Sequence, residues 1–289
     1  AQKGNKRQCS HQTIIESMNI KSILTTCFVI CAVHVSAQTP LYKQSSATVE
    51  SRVKDLLGRM TVDEKIGQLC CPLGWEMYTK TSKGVVPSEL YKERMSAAPI
   101  GSFWAVLRAD PWTQKTLETG LNPQSGAKAL NALQKYAIDS TRLGIPILFA
   151  EECPHGHMAI GTTVFPTSLA QASTWDKELM YKMGETIALE ARLQGANIGY
   201  GPVLDIAREP RWSRMEETFG EDPVLTSTLG VAFMKGMQGE VQNDGKHLLL
   251  TVSLNPDTMV HAPISVCDNY FQTICILSRK QWKQEQAQS

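Results

Sequence analysis

Three short apolar runs, 99–106, 145–150 and 198–204, alternate with three stretches of helical periodicity, about 127–143, 175–194 and 224–238. This alternation is the strongest constraint in the chain. Strands this short and this apolar are buried on both faces, and the segment between each pair must cross back over the sheet as a helix. The pattern calls for parallel strands with helices outside them. Two architectures satisfy it, an α/β barrel and an open doubly wound sheet. The open sheet usually binds a nucleotide on a glycine-rich loop, and neither GxGxxG after a strand nor GxxxxGK followed by Ser or Thr occurs. A barrel puts its functional residues at the carboxyl ends of its strands. Glu151 and Glu152 follow the second run, and Asp205 follows the third, so the barrel is the expectation.

Upstream, residues 47–60 carry Val49, Val53, Leu56, Leu57 and Met60 at helical spacing. Thr61-Val-Asp-Glu64 is a capping box opening a second helix through Ile66 and Leu69. Residues 107–124 read as a long loop with two prolines. Residues 1–17 are polar and basic without pattern, and are read as an upstream extension that is not native. Met18-Asn-Ile-Lys21, an apolar run 23–35 and Val35-Ser-Ala37 make a signal peptide over 18–37, cleaved after Ala37. The run is shorter than the ~20 residues that span a bilayer, so no membrane association is expected after cleavage. A net charge of +1 gives no reason to expect nucleic acid as a partner. The 8 cysteines fit neither a zinc spacing nor a dense disulfide framework, and read as buried thiols.

Two segments carry candidate chemistry. The first is 197–223, which runs from a strand through Asp205 into a loop with Arg208, Arg211, Arg214, Trp212 and Glu209, Glu216, Glu217 and Glu221. Such a density of both charges past a buried strand suits the mouth of a polar-ligand site. Arg214 and Glu217 can pair so that the acid fixes the guanidinium and the arginine presents a donor fork to a ligand. The same pair can equally pin a long loop. Trp212 can stack on a sugar or pack internally. The second segment is Glu151-Glu152-Cys153-Pro154-His155-Gly156. Its carboxylates can accept paired hydrogen bonds from sugar hydroxyls, with His155 adding a donor; a turn satisfied by its own backbone is the plainer reading. His155 and His157 lack a third ligand at a set spacing, so no metal is expected.

These segments also resemble a known family. Val53-Lys-Asp-Leu-Leu-Gly-Arg-Met-Thr-Val-Asp-Glu-Lys-Ile-Gly-Gln-Leu69 is similar to the opening of glycoside hydrolase family 3 domains. Gly144-Ile-Pro-Ile-Leu-Phe-Ala-Glu-Glu-Cys-Pro-His-Gly156 resembles that family's second-strand motif, and 165–175 and 197–223 also match. The resemblance covers about 47–240 and is strongest to secreted β-glucosidase and β-xylosidase members. It implies the N-terminal part of a TIM-like (β/α)8 barrel, here incomplete with about four βα units at most. The implied reaction is retaining hydrolysis from the non-reducing end of a β-linked glycoside, through a glycosyl-enzyme and without a cofactor. Residue by residue, Glu152 matches the strand-end acid that binds the first sugar, where the family more often has Asp. Arg214 matches the sugar-binding arginine, Glu217 the acid supporting it, and Asp205 the acid closing the third strand. A β-N-acetylhexosaminidase of the same family is the alternative, and the segment 214–223 favours the glucosidase and xylosidase branch. A non-catalytic carbohydrate-binding remnant is the other.

The resemblance stops near residue 240. The family's next strand ends in Lys-His, and the corresponding place holds Ser253-Leu254-Asn255. Asp244, Asp257 and Asp268 remain, none in the Ser-Asp-Trp-like context of the family's nucleophile. No catalytic residue is therefore assigned. The expected organisation is a partial barrel over 38–240 and a divergent tail over 241–289, out of frame or otherwise non-homologous.

Overall fold

The computed structural model describes residues 39–239 and 248–253. The leader at 18–37, the extension before it and most of the divergent tail lie outside the described residues.

Two helices open the described chain, α1 (Val49–Arg59) and α2 (Val62–Leu69). The capping box of α2 forms as the sequence requires: Thr61 Oγ1 accepts from Glu64 N–H, and Glu64 accepts from Thr61 N–H at 2.9 Å. Glu64 is also gripped by Arg142, which donates through both Nε and Nη2. The start of the domain is thereby tied to the segment that leads into its second apolar run. Residues 70–74 then run parallel to β3 (Ser102–Trp104), with Trp104 N–H donating to Pro72 O at 3.0 Å and Gly74 N–H to Trp104 O at 2.7 Å. Between them lie a hairpin, β1 (Tyr78–Thr81) with β2 (Gly84–Pro87), and helix α3 (Glu89–Ala97).

The remaining elements alternate: α4 (Pro123–Ser140), β4 (Leu148–Glu152), α5 (Ser168–Ala172), α6 (Lys177–Gln194), β5 (Ile198–Val203), α7 (Pro223–Gln238) and β6 (Leu249–Ser253). The strands β3-β4-β5-β6 form one parallel sheet in chain order, with residues 70–74 ahead of β3. A doubly wound sheet reverses its order at a switch point. This sheet does not, and with right-handed crossovers every helix falls on one face. The arrangement is part of a (β/α)8 barrel, as the alternation and the resemblance both require.

Several boundaries move. The first strand shortens from 99–106 to Ser102–Trp104, and Ala105 leaves it with a positive φ of 61°. Helix α4 starts at Pro123, capped by Asn122 Oδ1, and ends at Ser140, earlier at both ends than the expected 127–143. Strand β4 takes in Glu151 and Glu152, because pairing with Gly199 and Tyr200 extends to both residues. Helix α6 ends at Gly195 with φ 104°, as the sequence requires.

Register decides which side chains face the helices. Phe103 and Phe149 are partners across β3 and β4 and are fully buried against Tyr91, Leu130 and Leu133. A second core lies under α6 and α7, around Ile187, Phe233, Met234 and Met237. Those two helices meet on glycine: a Cβ on Gly236 would fall on the Tyr181 carbonyl, and one on Gly184 on the Phe233 carbonyl. Alternate residues of a strand face opposite sides. Trp104, Glu152 and Tyr200 therefore share the other face, turned away from the helices.

Candidate functional site

The two acids that end β4 part company. Glu151 is fully buried on the helix side, where Leu107 N–H donates to Oε1 at 3.1 Å. His157 Nε2 lies 3.7 Å from Glu151 Oε2, beyond hydrogen-bond reach, and the imidazole is itself buried. Glu151 thus braces the loop after β3 and cannot meet a ligand from solvent. Glu152 faces the open side and is half-buried. Trp104 Nε1–H donates to Glu152 Oε1 at 2.7 Å.

Two arginines act on the Glu152 charge, each clamped by its own acid. Arg214 donates from Nε to Glu217 Oε1 at 2.9 Å and from Nη2 to Glu217 Oε2 at 2.7 Å. This fork is set by a 3-10 turn, Met215–Glu217, in which Glu217 N–H closes onto Arg214 O. Arg108 donates from Nε to Asp110 Oδ2 at 2.6 Å, and its Nη1 lies 4.0 Å from Glu152 Oε1. The Arg108 guanidinium sits over the Trp112 ring, 4.6 Å from its centroid. Trp75 meets Trp104 and Trp112 edge-to-face, Trp104 and Trp112 are tilted against each other, and Tyr200 stacks on Trp104 at 6.1 Å.

The charges respond to one another. Burial pushes the Glu152 carboxyl above its usual range, with Arg108 and the Trp104 hydrogen bond opposing it; Glu217 adds to the rise and Arg214 subtracts from it. The Glu217 hydrogen bonds hold the Arg214 guanidinium above its ordinary value despite some burial, with smaller contributions from Asp205 and Glu152. Glu152, Arg214, Glu217 and Asp205 therefore share one electrostatic environment at the carboxyl ends of β4 and β5. Asp205 is buried just past β5.

His155 is half-buried in the loop after β4, with its carbonyl accepting from Phe165 N–H at 2.9 Å. Among the described residues its ring forms no hydrogen bond or ion pair with Glu152, Arg214 or Glu217. In the loop after β5, which carries Arg214, Arg211 pairs with Glu209 at 2.8 Å on the surface. Trp212 is half-buried within that loop. Among the described residues no group of three His, Cys, Asp or Glu side chains could hold a metal ion. Sequence reasoning missed Trp104, Arg108 and Asp110. A signal was there: Arg108 and Asp110 also follow an apolar run, as Glu152 and Asp205 do.

A family model described as the glycosyl hydrolase family 3 N terminal domain matches residues 61–253. The chain belongs to glycoside hydrolase family 3. It is 32% identical over 216 residues to a putative β-xylosidase of Formosa agariphila, covering 73% of this chain and 27% of that protein. It is 33% identical over 217 residues to a periplasmic β-glucosidase of Salmonella typhimurium, covering 73% of this chain and 24% of that protein. Among solved structures, a β-glucosidase from Erythrobacter marinus matches with a TM-score of 0.59 at 27% identity, over 74% of this chain and 27% of that one. A β-glucosidase from Listeria innocua in complex with glucose matches with a TM-score of 0.54 at 29% identity, over 70% and 26%. This family 3 chain thus spans about a quarter of the length of the relatives it matches. Its match runs through β6, whose Leu249, Leu250 and Thr251 pair with β5.

Proposed function

We propose that this chain carries the sugar-binding half of the active site of a retaining, exo-acting β-glucosidase or β-xylosidase. The observation that carries the reading is the convergence of the Glu152 carboxylate with the Arg214–Glu217 fork at adjoining strand ends. A carboxylate accepts hydrogen bonds from neighbouring sugar hydroxyls, and a fixed guanidinium donates to a hydroxyl oxygen beside them. Glu152 and Arg214 are the proposed contacts, with His155 as a further donor from the loop. Glu217 supports Arg214, and Asp205 closes the strand beneath them.

Retaining hydrolysis needs two carboxyl groups flanking the scissile bond, one as nucleophile and one as acid and base. Glu152 is engaged by Trp104 and Arg108 and is assigned to neither role. No aspartate in 241–289 stands in the nucleophile's family context. The chain alone is accordingly proposed to bind β-glycosides or their product sugars and to leave the bond intact, with residues beyond 253 diverging from the family. Export through the signal peptide at 18–37 agrees with relatives named as periplasmic β-glucosidases. No nucleic acid, membrane or cofactor enters the mechanism.

The test pairs two assays on the purified full chain. Turnover of chromogenic β-glucoside and β-xyloside is expected to be undetectable, while glucose or xylose shifts the amide resonances of Glu152 and Arg214. Appreciable turnover would overturn the proposed inactivity. Shifts confined to residues away from β4 and β5 would overturn the site.

A further inference from the structure

We propose that Trp104 and Arg108, at and just after the end of β3, are positioning residues for Glu152: they select which carboxylate oxygen is free for a sugar and balance its charge. The inference rests on the sugar-binding reading and adds a third strand end to it. Trp104 Nε1 occupies Glu152 Oε1 at 2.7 Å, and the Arg108 guanidinium approaches the same oxygen at 4.0 Å. Oε2 is left as the acceptor for a hydroxyl. A hydrogen bond from a rigid indole fixes direction, because the ring has few rotamers and its neighbours hold it. Trp75, Trp112 and Tyr200 pack around Trp104 on three sides.

Arg108 is held as firmly. Its side chain is only 14% exposed, its Nε is bound to Asp110, and Trp112 lies under its plane. Asp110 is fixed in turn, accepting from Thr113 N–H at 2.9 Å while its own N–H donates to Thr113 Oγ1 at 3.1 Å. Burial works against ionisation of Asp110, yet the Thr113 amide and Arg108 hold its carboxyl below the usual range. The loop is anchored to the segment after β4 by Ala109 N–H donating to Met158 O at 3.0 Å. The result parallels the Arg214–Glu217 fork: each arginine that acts on the Glu152 charge is bound to an acid of its own. Neither therefore collapses onto Glu152 and removes it from service.

The groups facing Glu152 are few. Arg108 and Asp110 come from the loop after β3, and Tyr200, Asp205, Arg214 and Glu217 from β5 and its loop. Glu151, Cys153 and His155 are neighbours in sequence, and Cys71 reaches Tyr200 from residues 70–74 at 3.6 Å. Burial raises the Cys153 thiol and the Tyr200 phenol far above neutral pH, so neither changes charge there. Burial raises the Glu152 carboxyl, and Arg108 is the strongest influence holding it down. Removing Arg108 or the indole N–H therefore moves the Glu152 midpoint upward, and sugar binding is lost at a higher pH as the solution is acidified.

The test is a carboxyl NMR titration of the 13C-glutamate-labelled full chain, with Glu152 assigned by the resonance lost in Glu152→Gln. It is run beside glucose and xylose titrations from pH 4 to 8. Trp104→Phe and Arg108→Gln are each expected to raise the Glu152 midpoint, and Trp104→Phe to weaken sugar binding about tenfold at neutral pH, the scale of a lost hydrogen bond to a charged group. Asp110→Asn, which frees Arg108 without removing it, is expected to move the midpoint less. An unmoved midpoint, or an affinity loss equal at every pH, overturns the inference. Wild-type chain that binds neither sugar at any pH overturns the sugar reading instead, and the midpoints still decide whether these residues position Glu152.

Discussion

Glu217→Gln separates holding a loop from holding a ligand. The substitution keeps the shape of the side chain and removes its charge. In the structure Glu217 accepts two hydrogen bonds from Arg214, at 2.9 and 2.7 Å. The side chains are 49% and 29% exposed for Arg214 and Glu217. An ion pair this open to solvent contributes about 0–1 kcal/mol to folding. For a chain of this size that is a loss of at most about 2–4 °C in Tm. Binding responds differently. With Gln at 217 the guanidinium keeps one acceptor and loses the second, so the donor fork facing the sugar is no longer fixed. Losing one well-placed hydrogen bond to a charged group costs about 1.5–3 kcal/mol, which weakens binding roughly 10–150-fold. The assay is a thermal melt and a calorimetric titration with glucose or xylose on the same preparation. A Tm loss above 10 °C with unchanged affinity would refute the argument, because it would make the pair a structural pin.

Two further outcomes follow from the fold. Gly236→Ala places a methyl group on the Tyr181 carbonyl where α6 and α7 meet, and should cost about 1–3 kcal/mol of stability by overpacking, measured by urea unfolding; a neutral result would show that the helices can separate freely. Arg142 holds the Glu64 carboxyl below its usual range, with burial opposing and Thr61 assisting. A carboxyl whose folded pKa is depressed stabilises the protein above its unfolded pKa of about 4.3, and that stability is lost as pH falls through the folded value. Arg142→Met should therefore flatten the dependence of unfolding free energy on pH below about 4.5, and identical slopes in the two proteins would remove Glu64 from the account.

The elements that were legible in the sequence are those whose ends are written locally. Thr61 with Glu64 opens α2 and Gly195 closes α6, each through contacts within one turn of helix. The hairpin β1–β2 carried no such mark. Its strands are four residues each, β1 is largely polar and β2 ends in Pro87, and its two-residue connection is Ser82-Lys83, without the Asn-Gly or Asp-Gly that announces a tight hairpin turn. Strand ends were misjudged for a related reason. Glu151 and Glu152 read as loop because they are charged, yet backbone pairing with β5 holds them in the sheet.

The site divides the same way. Glu152, Arg214 and Glu217 stood out as charges just past apolar runs, and Arg214 with Glu217 lie three residues apart, within reach of each other on a single turn. Trp104 did not stand out, because a tryptophan in an apolar run reads as core. Only the register shows it on the same face as Glu152 and Tyr200, away from Phe103 and Phe149. His155 adjoins the site in sequence, but its ring makes no bond to Glu152 or to the Arg214–Glu217 fork; what the structure fixes there is the backbone, through Phe165.

The central claim is that Glu152 receives the sugar. Calorimetric titration of glucose and of xylose into the full chain and into Glu152→Ala tests it most directly. The wild-type chain is expected to give heat and a saturable isotherm with at least one of the two sugars, and Glu152→Ala none at an unchanged far-UV spectrum. Equal binding by both proteins would contradict it.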